Sequence, residues 1–249
     1  MVRDGAGALR EAAAEESISI HAPRRGALYD FNLRVLLPYL PVLGWGAVRT
    51  LEISALAILM SFPLGLAGAL MRISRHRLGR GLAAGFVEVV RNIPLLVLLY
   101  VLFYALPANG VPISAFAAGV LGLTINSTAF TIEIFRGGFA AISAGQYEAA
   151  RAVGLRRGLI LRLVVVPQVF RIVLPTLGSQ IVSVVLGSAQ ALIIGVGELT
   201  YQTLSVGLAT FRYFELFTIA ALFYIVCVQL IGVVWRVISG RAARAPLGI

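Results

Sequence analysis

The sequence predicts an all-α integral membrane protein with five transmembrane helices, and three observations lead to that prediction. Of the 249 residues, 59% are hydrophobic and only 13% are charged, whereas an ordinary soluble domain carries about 25% charged residues. The mean hydropathy is +0.92. Five apolar segments are long enough to cross a bilayer, which takes about 20 helical residues. Lipid is therefore the expected solvent for most of the chain.

The predicted spans cover approximately residues 50–71, 81–106, 113–132, 172–195 and 214–237. Residues 36–48 are also apolar, but prolines and glycines interrupt them, so they are interpreted as an interfacial lead-in to the first span. Residues 1–35 are expected to form a polar, mobile tail, because they lack an apolar core. The membrane domain is predicted at residues 36–240, followed by a cytoplasmic tail at 241–249.

The positive charge predicts the orientation of the chain. The net charge is +10, and all 21 basic residues are arginines. Such an excess can indicate nucleic-acid binding, but in so apolar a chain the arginines are better explained as anchors of cytoplasmic loops. They collect in the loops after the first and third spans and beyond the fifth. The N-terminus is thus predicted outside and the C-terminus in the cytoplasm, although Arg49 opposes this orientation.

Residues 137–171 form the longest polar insertion after the N-terminal tail. Ser143 and Gln146 match a capping box, which predicts a helix beginning at Ser143. Gly154 stands where a left-handed cap would end that helix, and Pro167 is expected to stop a second one. This hairpin either lies on lipid headgroups or docks another protein. Glu148 and Arg151, on one face beside small alanines, favour docking.

Four ordered segments of the chain carry recognisable sequence motifs. Glu148, Ala149, Ala150 and Gly154, with the Ile-Val-Leu-Pro segment at 172–175, resemble the EAA loop of bacterial ATP-binding-cassette (ABC) importer permeases. Val-Arg-Asn-Ile-Pro-Leu-Leu at 90–96 looks like the VRNTPLL segment of the polar amino acid branch of that family. Residues 129–138 and 194–200 resemble its AYTAEIFRGG and IGVAELT blocks. The resemblance extends over approximately residues 39–239.

The resemblance implies the type I importer (MetI-like) fold and a multi-pass location in the bacterial inner membrane. It also implies three partners: an ABC ATPase dimer, a second permease subunit and a periplasmic solute-binding protein. The expected ATPase-coupling residues are Glu148, Ala149, Ala150, Arg151 and Gly154. No GxxxxGK[ST] loop is present, so ATP with Mg²⁺ is expected on the partner ATPase, with no cofactor or metal on this chain. The implied cargo is an amino acid-like solute.

Polar residues inside the predicted spans have two interpretations. They either join helices by hydrogen bonds or line the path of the solute. The candidates for the path are Asn126, Ser127, Thr128, Ser183, Ser188 and Gln190. Charged residues also recur at i, i+3 spacing, as Glu88 with Arg91 and as Glu133 with Arg136, and structural ion pairs are predicted for both.

One departure from the family pattern concerns residues 186–190, which read Leu-Gly-Ser-Ala-Gln. Relatives often carry a Lys/Asn-Asp-[ST]-Ser-Leu run there. A more apolar version favours a heterodimer in which the second permease supplies the charged contacts.

The sequence favours two other classes of function less. An ion-coupled secondary transporter or channel is the main alternative, but no inverted repeat is visible. A membrane-embedded enzyme is disfavoured, because His21 and His76 lie outside the spans and no catalytic or metal-ligand motif surrounds them.

Overall fold

The structure, a computed structural model, describes residues 31–244, with side chains to residue 240. Most of the predicted N-terminal tail and part of the C-terminal tail lie outside the described residues. The chain divides into two units, residues 1–35 and residues 36–249. Every regular element among the described residues is helical, which confirms the predicted all-α class.

A 3-10 helix at Leu33–Tyr39 precedes nine α-helices in the described part of the chain. These are α1 (Leu40–Ile73), α2 (Arg77–Arg91), α3 (Leu95–Ala108), α4 (Ala115–Ala140), α5 (Ala144–Ala152), α6 (Arg157–Leu159), α7 (Val166–Gly187), α8 (Leu199–Thr210) and α9 (Tyr213–Arg244). A π-helix at Ile160–Val165 joins α6 to α7, and a 3-10 helix at Ser188–Ile194 follows α7.

Within residues 31–244, four helical segments are long and apolar enough to cross a membrane: Leu33–Ile73, Ala115–Ala140, Arg157–Ile194 and Tyr213–Gly240. The pair α2 and α3 qualifies as a fifth if the two are counted as one span. These segments are longer than the sequence-based bounds. The lead-in at 36–48 belongs to the first long helical segment, and α4 continues past residue 132 to Ala140.

The second predicted span, at 81–106, is broken in the structure. Helices α2 and α3 meet at an angle of 103°. Pro94 caps α3, and a proline disfavours helical backbone at the residue before it, here Ile93. Asn92 closes α2 by donating from its side chain to the Glu88 carbonyl oxygen at 2.7 Å. A hydropathy scan passes over this break because the longer apolar runs on both sides outweigh Arg91 and Asn92.

Pro167 does not stop the second loop helix, contrary to the expectation from the sequence. The helical path runs from Arg157 to Ile194 without interruption. Proline removes one backbone donor from an α-helix. The π-helix at Ile160–Val165 ends two residues before Pro167. Its wider turn changes the hydrogen-bond register of the backbone at this point, so the helix continues past the proline. The fourth candidate span therefore begins inside the predicted loop.

Helix α1 is the central element of the second unit. Its buried residues recur at spacings of three and four along one face, from Leu43 through Thr50, Ala57 and Gly65 to Ala69. That face contributes to three apolar clusters: one near its start with Leu199 and Leu216, a middle one with Leu99 and Leu123, and one near its end with Phe135 and Val169. The last is called the loop cluster below.

Small residues let α1 and α4 approach closely. The Ser61 hydroxyl donates to Ser127 Oγ at 3.0 Å. One turn later, a Cβ on Gly65 would lie 2.6 Å from Thr131 Cβ, and a Cβ on Gly68 would lie 2.5 Å from Ile132 Cδ1. Without a hydrophobic driving force in lipid, helices associate through such close packing. The two glycines therefore set the distance between these helices.

Helix α9 is largely uncovered within its own chain, since only 6% of its most apolar window is buried. One fixed contact is Trp235, whose indole nitrogen donates to the Leu174 carbonyl oxygen at 2.9 Å. Its outer face carries exposed apolar residues, among them Leu222, Ile225 and Leu230. Such a surface suits lipid or another subunit.

Candidate functional site

The loop helix α5 begins where the sequence predicts, but not through the predicted capping box. Ser143 is the N-cap residue and its side chain makes no capping hydrogen bond. The Gln146 side chain instead accepts a hydrogen bond from Gln168 Nε2 at 3.3 Å. Gln168 also donates to the Val164 carbonyl oxygen at 2.9 Å. The contact ties α5 to the start of α7, so Gln146 orients the loop rather than closing the cap.

Gly154 forms the corner that the sequence predicts. Its φ is +78°, in the left-handed region that side chains disfavour. The Gly154 amide donates to the Arg151 carbonyl at 2.9 Å and the Leu155 amide to the Ala150 carbonyl at 3.2 Å. These two bonds are the Schellman motif that ends many helices. Leu155 then packs in the loop cluster.

The two faces of α5 have different environments. Ala150 is 6% exposed and, with half-buried Tyr147, belongs to the loop cluster. Glu148 and Ala149 are exposed, and Val153 is 75% exposed. The alanines of this loop therefore do not act alike, since Ala150 packs against its own chain and Ala149 faces outward. The reason is helical geometry, which puts residues 147 and 150 on one side.

Of the two ion pairs predicted from the sequence, the structure contains one. Glu133 and Arg136 form the predicted ion pair at 2.7 Å. Glu88 and Arg91 do not pair with each other in the structure. The Glu88 carboxylate accepts from Asn92 Nδ2 at 3.3 Å, and the Arg91 guanidinium lies 5.3 Å from the ring centroid of Phe130. Arg91 is therefore held by a cation–π contact with Phe130 and not by an ion pair with Glu88.

The candidate solute residues separate into a cavity and a set of helix contacts. Asn126 and Ser183, with Gln180, line a cavity of about 190 Å³ between α3, α4 and α7. Its apolar walls are Leu95, Leu123, Phe130 and Val184. This volume is below the roughly 300–1,000 Å³ of pockets for drug-sized ligands, so it suits only a small solute. Gln180 is a further polar residue of the fourth predicted span that lines this cavity.

The other candidates lie outside that cavity. Ser127 is buried and accepts from Gln180 Nε2 at 3.2 Å, so it joins α4 to the cavity wall. Ser188 is buried and donates to the Val185 carbonyl oxygen at 2.7 Å. Thr128 is buried against a separate apolar pocket, and its hydroxyl has no partner in the described part of the chain. Gln190 is exposed in the 3-10 helix after α7.

Glu198 is a buried acid that the sequence analysis did not single out. It is fully buried and caps α8, where its carboxylate accepts from the Thr200 and Tyr201 amides at 2.9 and 2.7 Å. Tyr224 donates to it at 3.1 Å from α9, and Thr50 lies 3.5 Å away on α1. Glutamate is not among the favoured N-cap residues, so propensity gave no signal. Glu198 joins three helices through one carboxylate.

Replacing Glu198 by alanine is expected to destabilise the folded chain by roughly 2–4 kcal/mol. The change removes a helix cap and leaves the Tyr224 hydroxyl without its acceptor. Thermal unfolding in detergent measures the effect. The matched control is Glu52→Ala, because Glu52 is an acid on α1 with a 41% exposed side chain, paired with Arg49 at 2.9 Å. That control should cost about 0–1 kcal/mol. Equal losses in the two variants would contradict this role.

The same carboxyl gives stability a pH dependence of known sign. Burial raises the pKa of Glu198 above its ordinary value of 4.5. The folded chain therefore holds this proton more tightly than the unfolded chain does. The resulting stability is fully present below pH 4.5 and is lost as the pH rises through the raised pKa. Glu198→Gln should lack this component of the unfolding profile.

Both the sequence and the fold of the chain match those of known proteins. The family profile described as "Binding-protein-dependent transport system inner membrane component" matches residues 61–244. The probable glutamine ABC transporter permease protein GlnM of Bacillus subtilis is 35% identical over 195 residues, covering 78% of this chain and 90% of the relative. The glutamine transport system permease protein GlnP of Escherichia coli K12 is 32% identical over 214 residues, covering 85% and 98%.

Solved structures show the same fold. A chain of an amino acid ABC transporter crystallised with histidines superimposes with a TM-score of 0.79 at 34% identity, covering 85% of this chain and 99% of that one. A chain of the inward-facing MetNI methionine ABC transporter gives a TM-score of 0.70 at 22% identity, covering 84% and 99%. The second likeness concerns the fold alone.

Proposed function

Because the chain belongs to the binding-protein-dependent transport system inner membrane components, the permease subunits of ABC importers, we propose that it carries a polar amino acid or a related small solute across the bacterial inner membrane. Membership makes the chain a multi-pass membrane protein and a transport subunit rather than an enzyme. Permeases of this family work with a separate ATPase and a solute-binding protein. ATP with Mg²⁺ is assigned to that ATPase.

The outward face of α5 is the observation that carries the coupling role. Glu148, Ala149 and Val153 are exposed on a helix that Ala150 anchors to its own chain. Arg151 and the Gly154 corner complete the coupling set. Glu148 presents a charge, Ala149 permits close approach, and the left-handed corner fixes the direction in which the face points. A small charged and apolar face on a rigid support suits insertion into a groove of the ATPase.

The polar cavity between α3, α4 and α7 supports the choice of solute. Asn126, Gln180 and Ser183 offer amide and hydroxyl groups that can both donate and accept hydrogen bonds. An amino acid presents an ammonium, a carboxylate and often a polar side chain, which need such partners away from water. The named relatives include glutamine permeases. Ser127, Thr128, Ser188 and Gln190 remain secondary candidates for the solute path.

Charge distribution supports the orientation with the N-terminus outside and the C-terminus in the cytoplasm. Arg49, which pairs with Glu52 at 2.9 Å and lies over the Trp45 ring at 5.5 Å, still counts against that orientation. The arginines of the loops after the first and third spans outnumber it. The second permease subunit is proposed to be a different chain, because residues 186–190 carry no charged group.

Uptake by reconstituted importer tests the proposal. The permease, its ATPase and its binding protein in liposomes should import labelled glutamine or another polar amino acid when ATP is inside. Asn126→Leu should lower uptake about tenfold, because one hydrogen bond to the solute is lost in an apolar site. Ser179→Ala, an exposed serine one residue before Gln180 and outside the cavity lining, is the control.

Two results would contradict parts of this function. Uptake that survives ATP depletion but stops when the proton gradient is dissipated would indicate the ion-coupled transporter instead. Full uptake with this chain as the sole permease would contradict the heterodimer and leave the coupling role intact.

A further inference from the structure

A cleft of about 1150 Å³ opens beside the loop helices. Its walls come from the end of α1, the start of α2, the end of α4 and the segment that runs from α5 into the π-helix. Among its lining residues only Arg151 belongs to the proposed coupling set, and none belongs to the proposed solute path. Its lining combines many arginines with an apolar floor, which is the property that suggests a ligand.

The charge of the cleft is not balanced by the described part of the chain. Arg72 and Arg136 share Glu133, at 3.4 and 2.7 Å. Five further lining arginines form no ion pair with any described residue: Arg75, Arg77, Arg80, Arg151 and Arg157. No acidic residue appears in the described lining. Converging like charges repel one another, and a bound anion would relieve that repulsion.

The rest of the lining indicates what kind of anion fits. Leu70, Ile73, Phe139, Ile160 and Leu161 form the apolar part of the surface. The cleft also lies at the ends of two candidate spans, which finish at Ile73 and Ala140. In a membrane protein, span ends mark the depth of the headgroups. An anionic group joined to a hydrocarbon chain can pair with the arginines and also cover the apolar surface. A soluble anion can pair with the arginines only.

We infer that this cleft binds an anionic phospholipid, with the arginines on its phosphate and an acyl chain along the apolar floor. Guanidinium groups bind phosphate oxygens in pairs of parallel hydrogen bonds. Basic pockets between transmembrane helices at the cytoplasmic face are suited to such headgroups. The bound lipid bridges Arg151 and Arg157 of the loop to Arg75, Arg77 and Arg80 beside α2. It thereby steadies the loop helix against the spans.

Lipid titration of the assembled importer tests the site. The complex in neutral detergent is titrated with a fluorescent short-chain phosphatidylglycerol, and anisotropy gives the Kd. A triple variant, Arg75→Gln with Arg77→Gln and Arg80→Gln, removes three charges from the cleft. A basic residue near an anionic lipid contributes about fivefold to affinity, so the loss of three should weaken binding by about a hundredfold. Arg157→Gln, on the loop side, should weaken it by about fivefold.

The matched control removes the same number of charges elsewhere. Arg156, Arg162 and Arg236 lie outside the described lining of the cleft, and their joint replacement by Gln should change the Kd by about twofold or less. The variant Arg75→Lys with Arg77→Lys and Arg80→Lys keeps the charge but loses the paired hydrogen bonds of guanidinium, so its affinity should lie between that of the glutamine triple and that of the unsubstituted complex. This intermediate affinity separates loss of the site from loss of assembly. Unlabelled phosphatidylglycerol should displace the probe, whereas phosphatidylcholine should not.

Three outcomes would overturn the inference. Displacement by inorganic phosphate as effective as that by lipid would indicate a site for soluble phosphate. Equal loss in the cleft and control triples would indicate diffuse attraction between arginines and anionic lipid. Unchanged lipid binding, with the ATPase lost from the complex of the cleft triple, would make the cleft a protein-docking surface.

Discussion

Replacing Gly154 by valine should lower solute-stimulated ATP hydrolysis and uptake by roughly 5- to 30-fold while leaving the permease folded in the membrane. The φ of +78° at this corner is one that L residues rarely adopt. The left-handed conformation costs a residue with a side chain about 1–2 kcal/mol, and a β-branched one more. That cost reduces the population of correctly shaped loops by roughly 5- to 30-fold.

The mechanism of this effect is conformational rather than steric. No atom lies within 4 Å of a Cβ built on Gly154, so valine meets open space. Relief of the strain turns the backbone at the corner and re-aims α5. The face that carries Glu148 then no longer points toward the proposed groove of the ATPase. The permease core, which does not include Gly154, keeps its packing.

Two control variants isolate the corner. Gly154→Asn should keep most of the activity, because asparagine tolerates the left-handed region. Gly158→Val places the same side chain four residues on, also in open space but without a positive φ, and should couple normally. ATPase activity with and without loaded binding protein, and uptake in proteoliposomes, are the measurements. Stimulated hydrolysis and uptake at the unsubstituted level in Gly154→Val would refute the coupling role of this corner.

Replacing Gly65 by leucine should destabilise the folded chain by roughly 3 kcal/mol or more, since overpacking a tight core costs about 1–3 kcal/mol and close helix packing is also lost. A Cβ at this position would lie 2.6 Å from Thr131 Cβ and 3.2 Å from its carbonyl carbon. Backbone is involved, so rotation of a side chain cannot relieve the clash. Separation of α1 from α4 would also break the hydrogen bond between Ser61 and Ser127.

Thermal unfolding followed by size-exclusion chromatography in detergent checks this effect. A loss of about 3 kcal/mol corresponds to a fall of about 6–12 °C in Tm for a chain of this size. Gly44→Leu is the control on the same helix, because no atom of the chain lies within 4 Å of a Cβ there. Similar melting of the two variants would show that the α1–α4 distance does not limit stability.

The all-α class, the membrane-spanning character and the glycine corner were predictable from the sequence, because each rests on local information. Apolar runs report burial in lipid, and a glycine after a run of good helix formers reports a left-handed cap. The break between α2 and α3 also had a local signal in Pro94. It was hidden by the apolar residues on both sides, which made one continuous span look adequate.

The features that could not be predicted depend on contacts between distant residues. Ser143 and Gln146 match a capping box, but Gln168, 22 residues on, takes the glutamine side chain. The buried position of Glu198 depends on Thr50, 148 residues earlier, and on Tyr224, 26 residues later. The inward position of Ala150 depends on the loop cluster. A sequence pattern reports which groups can pair, whereas the fold decides which of them meet.

Helix α1 couples the unfolding of the three apolar clusters in the described core. Its 34 residues extend about 50 Å at 1.5 Å per residue. One face of that rod supplies Leu43 to the first apolar cluster, Ala57 to the middle one and Ala69 to the loop cluster. Local opening requires a segment whose contacts can be released separately. Because the three clusters share this one helix, none can release it alone, and they should melt together in a single cooperative transition.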